Sequence, residues 1–404
     1  MSAVFVLPTS AKGQLGPVAA YLSTAGWAAA AQRVLGRSWI VCPTGEIDPD
    51  EARRIGTASG LTSDPGTARS RYAWVPPLAK TLAKDVRQYR RAQAFRVDPG
   101  GPWADHDVEF VWQRHELFET AGLDLAKALR RPSVLFAPAT KVWESDRWGT
   151  ARPGWGPAVE RWGERPMLMA ADVVACGSAE VAEHAVRLGV DEARIVITPT
   201  GVDLDLFPAQ HAEREQRRAE LGLTGRFVVG WVGSFRPFHS LDQAVHAVAG
   251  LDGASLLLVG DGPERPAIED LAAQLGVHLV CTGTVSHCQL PALLSAMDVG
   301  LVLAPPDGGF HYSPLKLAEY LAAGLPIVAP AVETLTSRLT SGTDALLVEP
   351  NDLAALRTAI EQLRADPELA GRLGDRARQE AVARWSWDEQ VRRVRAAAGM
   401  VSPS

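Results

Sequence analysis

Ser313, Pro314, Leu315, Lys316 and Glu319 are the densest run of residues in this chain whose types and spacing suit chemistry. Ser followed by Pro is an N-cap and first-turn pair, so the run predicts a helix over Leu315–Ala323. A helix start facing a cleft attracts an anion, because its free N–H groups and its dipole favour negative charge. Lys316 in the first turn adds a formal positive charge. Glu319, one turn on, can accept hydrogen bonds from a ribose diol. The same spacing also suits an ordinary capped helix with a surface Lys–Glu pair. Lysine is scarce: it occurs at positions 12, 80, 84, 127, 141 and 316, so Lys316 is the only one after residue 141. Arg- and Ala-richness of this kind follows from a GC-rich genome and is not itself functional evidence.

Two further runs stand at strand-to-helix turns. Gly233 and Ser234 end an apolar run and lead into Arg236 and His239. Gly there lets backbone approach a phosphate closely, and an Arg guanidinium suits bidentate phosphate contact. Gly260-Asp261-Gly262-Pro263 reads as a short structural turn. Asp203 and Asp205 have a D-x-D spacing that can hold a metal diphosphate, but they fall in a turn-rich stretch, and a structural role is expected. Cys281, Cys288, His278 and His287 lack the CxxC spacing of a zinc site and read as core and loop. His106, His184, His211 and His246 read as surface.

The elements that must position these residues alternate strand-like and helical runs, the pattern of parallel α/β domains. Predicted strands are Val4–Leu7, Trp39–Cys42, Val108–Trp112, Ser133–Phe136, Asp172–Cys176, Phe227–Val232, Ser255–Val259, His278–Cys281, Val299–Leu303, Pro326–Ala329 and Ala345–Val348. Amphipathic runs such as Leu15–Leu35, Leu117–Arg130, Leu241–Val248 and Leu353–Ala365 separate them. Residues 45–70 fit either a loop or an unplaced helix. The expected fold is two Rossmann-like doubly wound domains facing a central cleft. Their expected limits are 1–205 and 206–380, with residues 381–404 forming a helix that crosses back to the first.

Bulk properties agree. The chain has 404 residues, 47% of them hydrophobic, with a net charge of −6. At roughly 100–200 residues per domain that suits two or three domains. An acidic balance argues against nucleic acid as partner. No apolar run nears the ~18 residues that span a bilayer, so no stable membrane insertion is expected. The N-terminal residues show no signal-peptide pattern, and four cysteines are too few for a disulfide scaffold, so a cytoplasmic protein is expected.

In order and spacing, VGSFRPFHS, LLLVGDGPERP, CTGTVSHCQLPALLSAMDVGLVL, SPLKLAEYLAAGLPIVA and DALLVEPNDLAAL resemble glycosyltransferase family 4. That family comprises retaining nucleotide-sugar transferases of the GT-B fold. The resemblance covers about residues 226–390 strongly and extends more weakly upstream. It implies a UDP- or GDP-sugar donor, no prosthetic group and no metal. Glu319 matches the second Glu of an E-x7-E motif that holds the ribose. Arg236 and Lys316 match cations that neutralise the diphosphate, beside Gly233, Ser234 and residues 311–315 (His311, Tyr312, Ser313, Pro314 and Leu315). Thr284 and Val285 would border the base. Gly13 and Gly16 would approach the phosphates from the first domain.

Three departures stand out. His311 replaces the first Glu of the motif, which touches the donor sugar. Ser234 and His239 replace an Arg–Lys pair, as in a subset of the family. The His that many members place after the strand at 133–136 is missing, which leaves Glu144 and His115 as candidate bases. The expected acceptor is a soluble small molecule, such as a natural-product precursor, because the amphipathic run at 15–35 carries a single Arg. Trp143, Trp148 or Trp155 would hold that acceptor. The alternatives are a peripheral-membrane transferase of envelope glycan or glycolipid, an inactive nucleotide-sugar-binding homologue, and an epimerase. A monomer or homodimer is expected.

Overall fold

A computed structural model describes residues 1–8, 19–58, 76–147, 151–207, 214–305 and 315–399. The first sheet contains β1 (Ser2–Val6), β2 (Arg37–Cys42), β3 (Gly45–Ile47), β4 (Val108–Arg114), β5 (Ser133–Ala137), β6 (Val173–Cys176) and β7 (Ile195–Ile197). Their spatial order is β3-β2-β1-β4-β5-β6-β7. Only β3 runs antiparallel, paired with β2. The second sheet contains β8 (Phe227–Val232), β9 (Ala254–Val259), β10 (Leu279–Cys281), β11 (Val299–Leu301), β12 (Ile327–Pro330) and β13 (Leu346–Val348), in the order β10-β9-β8-β11-β12-β13. All its pairings are parallel.

The central strands are buried along their whole length, as parallel strands covered by helices on both faces must be. That is why they read as unbroken apolar runs. In each sheet the order reverses beside the first strand, between β1 and β4 and between β8 and β11. Ligands of open α/β sheets bind at such switch points, beyond the carboxyl ends of the strands.

The predicted strands form within one or two residues of their expected ends. The helices Leu241–Val248, Leu315–Ala323 and Leu353–Ala365 match their predicted limits. Of the segment 45–70, residues 59–70 lie outside the described residues, and residues 45–58 are settled. They are β3 followed by the helix Pro49–Ala58, whose start is capped by Asp48 Oδ1 accepting from the Asp50 and Glu51 N–H groups, both at 3.0 Å. The helix Pro77–Ala94 and strand β7 were not anticipated either.

The C-terminal helix Trp387–Gly399 lies against the helix Ala19–Leu35 of the first sheet's layer. Trp387, Val391, Val394 and Ala398 join the core that includes Phe5, Phe110 and Trp112. Backbone bonds fix the crossing: Val202 N–H donates to Trp385 O at 2.8 Å and Trp387 N–H to Val202 O at 3.2 Å.

Candidate functional site: a cleft between the two sheets

The helix Leu315–Ala323 is the element that positions most of the site. Every residue from Lys316 to Ala323 is buried. Tyr320 locks the helix to β8, its hydroxyl accepting from Val232 N–H at 2.9 Å. Gly324, at φ 64°, ends it. This rigid seat places Lys316 and Glu319 on neighbouring turns.

Lys316 sits under the turn that follows β8. Its Nζ lies 3.7 Å from the ring centroid of Trp231. Gly233 at φ 148° makes the turn, and a Cβ there would stand 3.1 Å from Lys316 Nζ. The Gly260–Gly262 turn after β9 props it from behind. Gly233 N–H donates to Val259 O at 2.9 Å and Phe235 N–H to Asp261 O at 3.0 Å. A Cβ on Gly260 would strike the Gly233 carbonyl. The two glycine turns thus pack backbone on backbone, and the second has the structural role expected of it.

Arg236 and His239 complete a cationic corner. Burial, then the charges of Lys316 and Arg236, push the His239 imidazole down to about 2. His239 is therefore neutral here, a hydrogen-bonding group and not a third cation. Burial also drives the Lys316 ammonium well below an ordinary lysine, with the Glu319 charge opposing. An anion entering this corner would reverse both effects.

Glu319 faces the cavity of about 230 Å³ between the sheets. Leu315, Glu319 and His287 line it from the second sheet; Arg53, Arg114, Phe136 and Trp387 line it from the other side. Lys316 and the Gly233 turn stand beside it, joined through the helix that carries Glu319. His287 donates to Glu319 Oε1 at 2.7 Å. Reading the sequence placed His287 in a loop with Cys281 and Cys288; the reciprocal bonds of Ser286 and Gln289 instead fold it back onto Glu319. Trp231, Arg114 and His287 are residues of this candidate site that sequence reasoning missed. Thr284 is exposed and Val285 half-buried, both just beyond β10. Gly13, Gly16, His311, Tyr312, Ser313, Pro314 and Trp148 lie outside the described residues.

On the first-sheet side, Arg114 ends β4 and donates to Ser23 Oγ at 3.0 Å. Its Nε stands 3.9 Å from Glu116 Oε1. Lys141 Nζ is 4.0 Å from the same oxygen and 3.5 Å from Glu144 Oε2. Glu144 thus belongs to a partly exposed charge cluster beside the cleft. His115 is different. It is fully buried, with Nε2 2.9 Å from Glu164 Oε1. Burial would raise the Glu164 carboxyl, but His115 and the backbone N–H groups of Lys141 and Val142 hold it lower than usual. His115 is therefore engaged away from the cleft: it bonds the Glu164 carboxylate, which caps the helix Lys141–Arg147 by accepting from the Lys141 and Val142 N–H groups.

Trp143 and Trp155 are likewise engaged. Trp143 stacks on His184, centroids 5.4 Å apart. Trp155 donates through Nε1 to Asp85 at 2.9 Å. His184, expected at the surface, is buried against Thr140. Asp203 and Asp205 both pair with Arg53, so the D-x-D spacing serves an ion pair between the helix Pro49–Ala58 and the turn after β7.

Comparison with known proteins fits this geometry. Residues 28–206 match the family model described as Glycosyltransferase Family 4, and residues 226–366 that described as Glycosyl transferases group 1. The chain is 32% identical over 220 residues to a 2-deoxystreptamine glucosyltransferase of Streptomyces kanamyceticus, covering 52% of this chain and 54% of that one. It is 29% identical over 299 residues to a GDP-mannose-dependent alpha-(1-6)-phosphatidylinositol monomannoside mannosyltransferase of Mycobacterium tuberculosis, covering 70% and 74%. The match thus spans about half the length of the first relative and three quarters of the second. Among solved structures, a glycosyltransferase from Rickettsia africae superposes with a TM-score of 0.67 at 15% identity, covering 99% of each chain. Anabaena HepE in complex with UDP superposes with 0.66 at 16%, covering 99% and 100%. The fold is GT-B, and the two models between them take in most of the sequence: the chain belongs to glycosyltransferase family 4.

Proposed function

We propose that this protein is a retaining glycosyltransferase that moves a sugar from a UDP- or GDP-sugar to a soluble small-molecule acceptor. One observation carries the reading. Lys316, on the helix that also presents Glu319 to the cleft, and Arg236, in the loop after β8, gather at a glycine turn. That arrangement suits a nucleoside diphosphate, with ribose at Glu319 and phosphates at the two cations. In this reading residues 206–380 bind donor and residues 1–205 bind acceptor.

The reaction is one bond exchange. The acceptor hydroxyl oxygen bonds to the anomeric carbon on the face from which the diphosphate leaves. The bond from that carbon to the phosphate oxygen breaks, and its electron pair departs with the diphosphate. Lys316 and Arg236 stabilise that growing charge. The acceptor proton passes to a donor phosphate oxygen, or to Glu144 at the rim. No enzyme nucleophile is required. The S. kanamyceticus relative is named for 2-deoxystreptamine, which supports a natural-product acceptor; we further take the enzyme to be cytoplasmic and a monomer or homodimer.

Lys316→Ala tests the donor site. At saturating UDP-glucose or GDP-mannose its kcat falls at least about tenfold, equivalent to about 1.4 kcal/mol of barrier. A smaller fall overturns the assignment. Thermal-shift titration with both donors identifies the base.

A second reading, transfer to a lipid-anchored acceptor, has one observation behind it. The helix Pro77–Ala94 turns Leu78, Leu82, Val86 and Tyr89 to solvent, each 45–50% exposed, beside Lys80, Lys84, Arg87, Arg90 and Arg91. Among the described residues, no helix is long and apolar enough to cross a membrane. Sedimentation with anionic liposomes decides between the readings: co-sedimentation abolished by Leu82→Glu supports the lipid surface, and a soluble protein throughout removes it.

A further inference from the structure

We infer that Trp231 is the positioning residue of the phosphate corner: its indole face holds the Lys316 ammonium beneath the Gly233 turn until a diphosphate engages it. The inference rests on the donor-site reading above and adds a residue to it.

The ammonium stands where little else welcomes a cation. It is buried. It lies in the first turn of a helix, where the dipole opposes positive charge. Arg236 and Lys316 are close enough that both act on His239. Among the described residues, no carboxylate comes within salt-bridge distance of Lys316, and Glu319 acts on it only as a more distant charge. The direct contact is the indole face at 3.7 Å, the arrangement in which a ring quadrupole attracts a cation.

Trp231 is itself held in place. It is fully buried in β8. Phe235 packs on it edge to face with centroids 5.8 Å apart, and His239 does the same at 5.2 Å. A Cβ on Gly233 would stand 2.8 Å from its Cη2. One ring therefore sets the position of Lys316, of His239 and of the turn between them. A core residue chosen only to fill space would not need an aromatic face toward Nζ; leucine would serve.

The scarcity of lysine makes the contact measurable. The full chain, labelled with ¹³C-lysine, gives six ε-methylene signals, and Lys316→Arg removes the one to be followed. We expect that signal upfield of the other five, displaced by the indole ring current. Trp231→Phe keeps a smaller displacement and Trp231→Leu abolishes it. In calorimetry, the Kd for UDP rises about tenfold in Trp231→Leu and no more than about threefold in Trp231→Phe. A Lys316 signal at the ordinary position in the unsubstituted protein overturns the inference, as does one unmoved in Trp231→Leu. Should Trp231→Leu fail to fold, the unsubstituted protein and Trp231→Phe still carry the test. If the displacement is present but neither UDP nor GDP binds or shifts the signal, the contact stands and the donor-site reading falls.

Discussion

His287 and Glu319, 32 residues apart in sequence, meet as a buried pair: the imidazole Nε2 donates to Glu319 Oε1 at 2.7 Å. An ionised carboxylate can only accept, so the proton sits on Nε2. Among the described residues Nδ1 is buried without a partner, and Phe207 flanks the ring edge to face at 5.9 Å. The bond fixes which Glu319 oxygen is free to meet a ribose. Removing a hydrogen bond to a charged group costs about 1.5–3 kcal/mol. His287→Ala is thus expected to weaken UDP binding at least tenfold, roughly 1.4 kcal/mol, with kcat at saturating donor nearly unchanged. His287→Gln, which keeps an N–H donor, recovers most of the loss. Calorimetric affinity equal to the unsubstituted protein in His287→Ala removes this role.

The neutral state of His239 has a consequence for stability. Its native value lies near 2 against 6.5 for an unperturbed imidazole, because burial, Lys316 and Arg236 all resist protonation. Between those values the unfolded chain binds a proton that the native one does not. Stability from this group is therefore complete above about pH 6.5 and is lost as pH falls below it, with a limiting slope of about 1.4 kcal/mol per pH unit. Urea denaturation of the unsubstituted protein and His239→Asn between pH 7.5 and 5 is expected to show the steeper acid loss in the former. Parallel curves mean that the native imidazole takes up the proton.

Most of this architecture was legible in the sequence because buried parallel strands are continuous apolar runs bounded by turns. Phe227–Val232 and the helix Leu315–Ala323 form where the pattern put them. What escaped were short or tertiary features. β3 has three residues and no periodicity to read. The helix Pro49–Ala58 did carry a signal, Asp48 before Pro49 with Asp50 and Glu51 in the first turn, hidden by the turn-rich residues after it. The candidate site residues divide in the same way. Lys316 and Glu319 are local to one helix and could be found by spacing. The roles of Trp231 and His287 depend on contacts across 85 and 32 residues, and no pattern along the chain encodes them. His115 failed for the complementary reason: its burial against Glu164 is invisible until β4 and the segment at 160–164 are brought together.

Asp85 and Arg152 form a buried bidentate pair, with bonds of 2.8 and 2.9 Å, and Trp155 Nε1 adds a third donor to the same carboxylate. The pair draws Asp85 of the helix Pro77–Ala94 inward, while Leu78 and Leu82 of the same helix face solvent. Taking away one partner strands the other charge away from water, a cost of about 3–5 kcal/mol. Asp85→Ala is expected to lose stability in that range. The double variant Asp85→Leu, Arg152→Met should lose much less, because no charge is left behind. Chemical denaturation of the two variants checks the order, and equal losses would mean that packing, not the charge pair, sets the cost.

The crossing of the C-terminal helix is tightly packed. Trp387 lies between two glycines: a Cβ on Gly26 would fall well under 3.0 Å from its indole Nε1, and one on Gly201 equally close to its Cε3. Both clashes involve a ring fixed on its other side by Trp27, with centroids 5.8 Å apart, so it cannot swing away. Overpacking of this kind costs about 1–3 kcal/mol. Gly26→Ala and Gly201→Ala are each expected to lower the Tm. Because all three residues also line the cleft, each should weaken UDP binding as the ring is displaced. Trp387→Phe, which shortens the ring, should recover part of the stability lost in Gly26→Ala. Independent, additive losses in that double variant would show that the glycine and the indole do not press on each other.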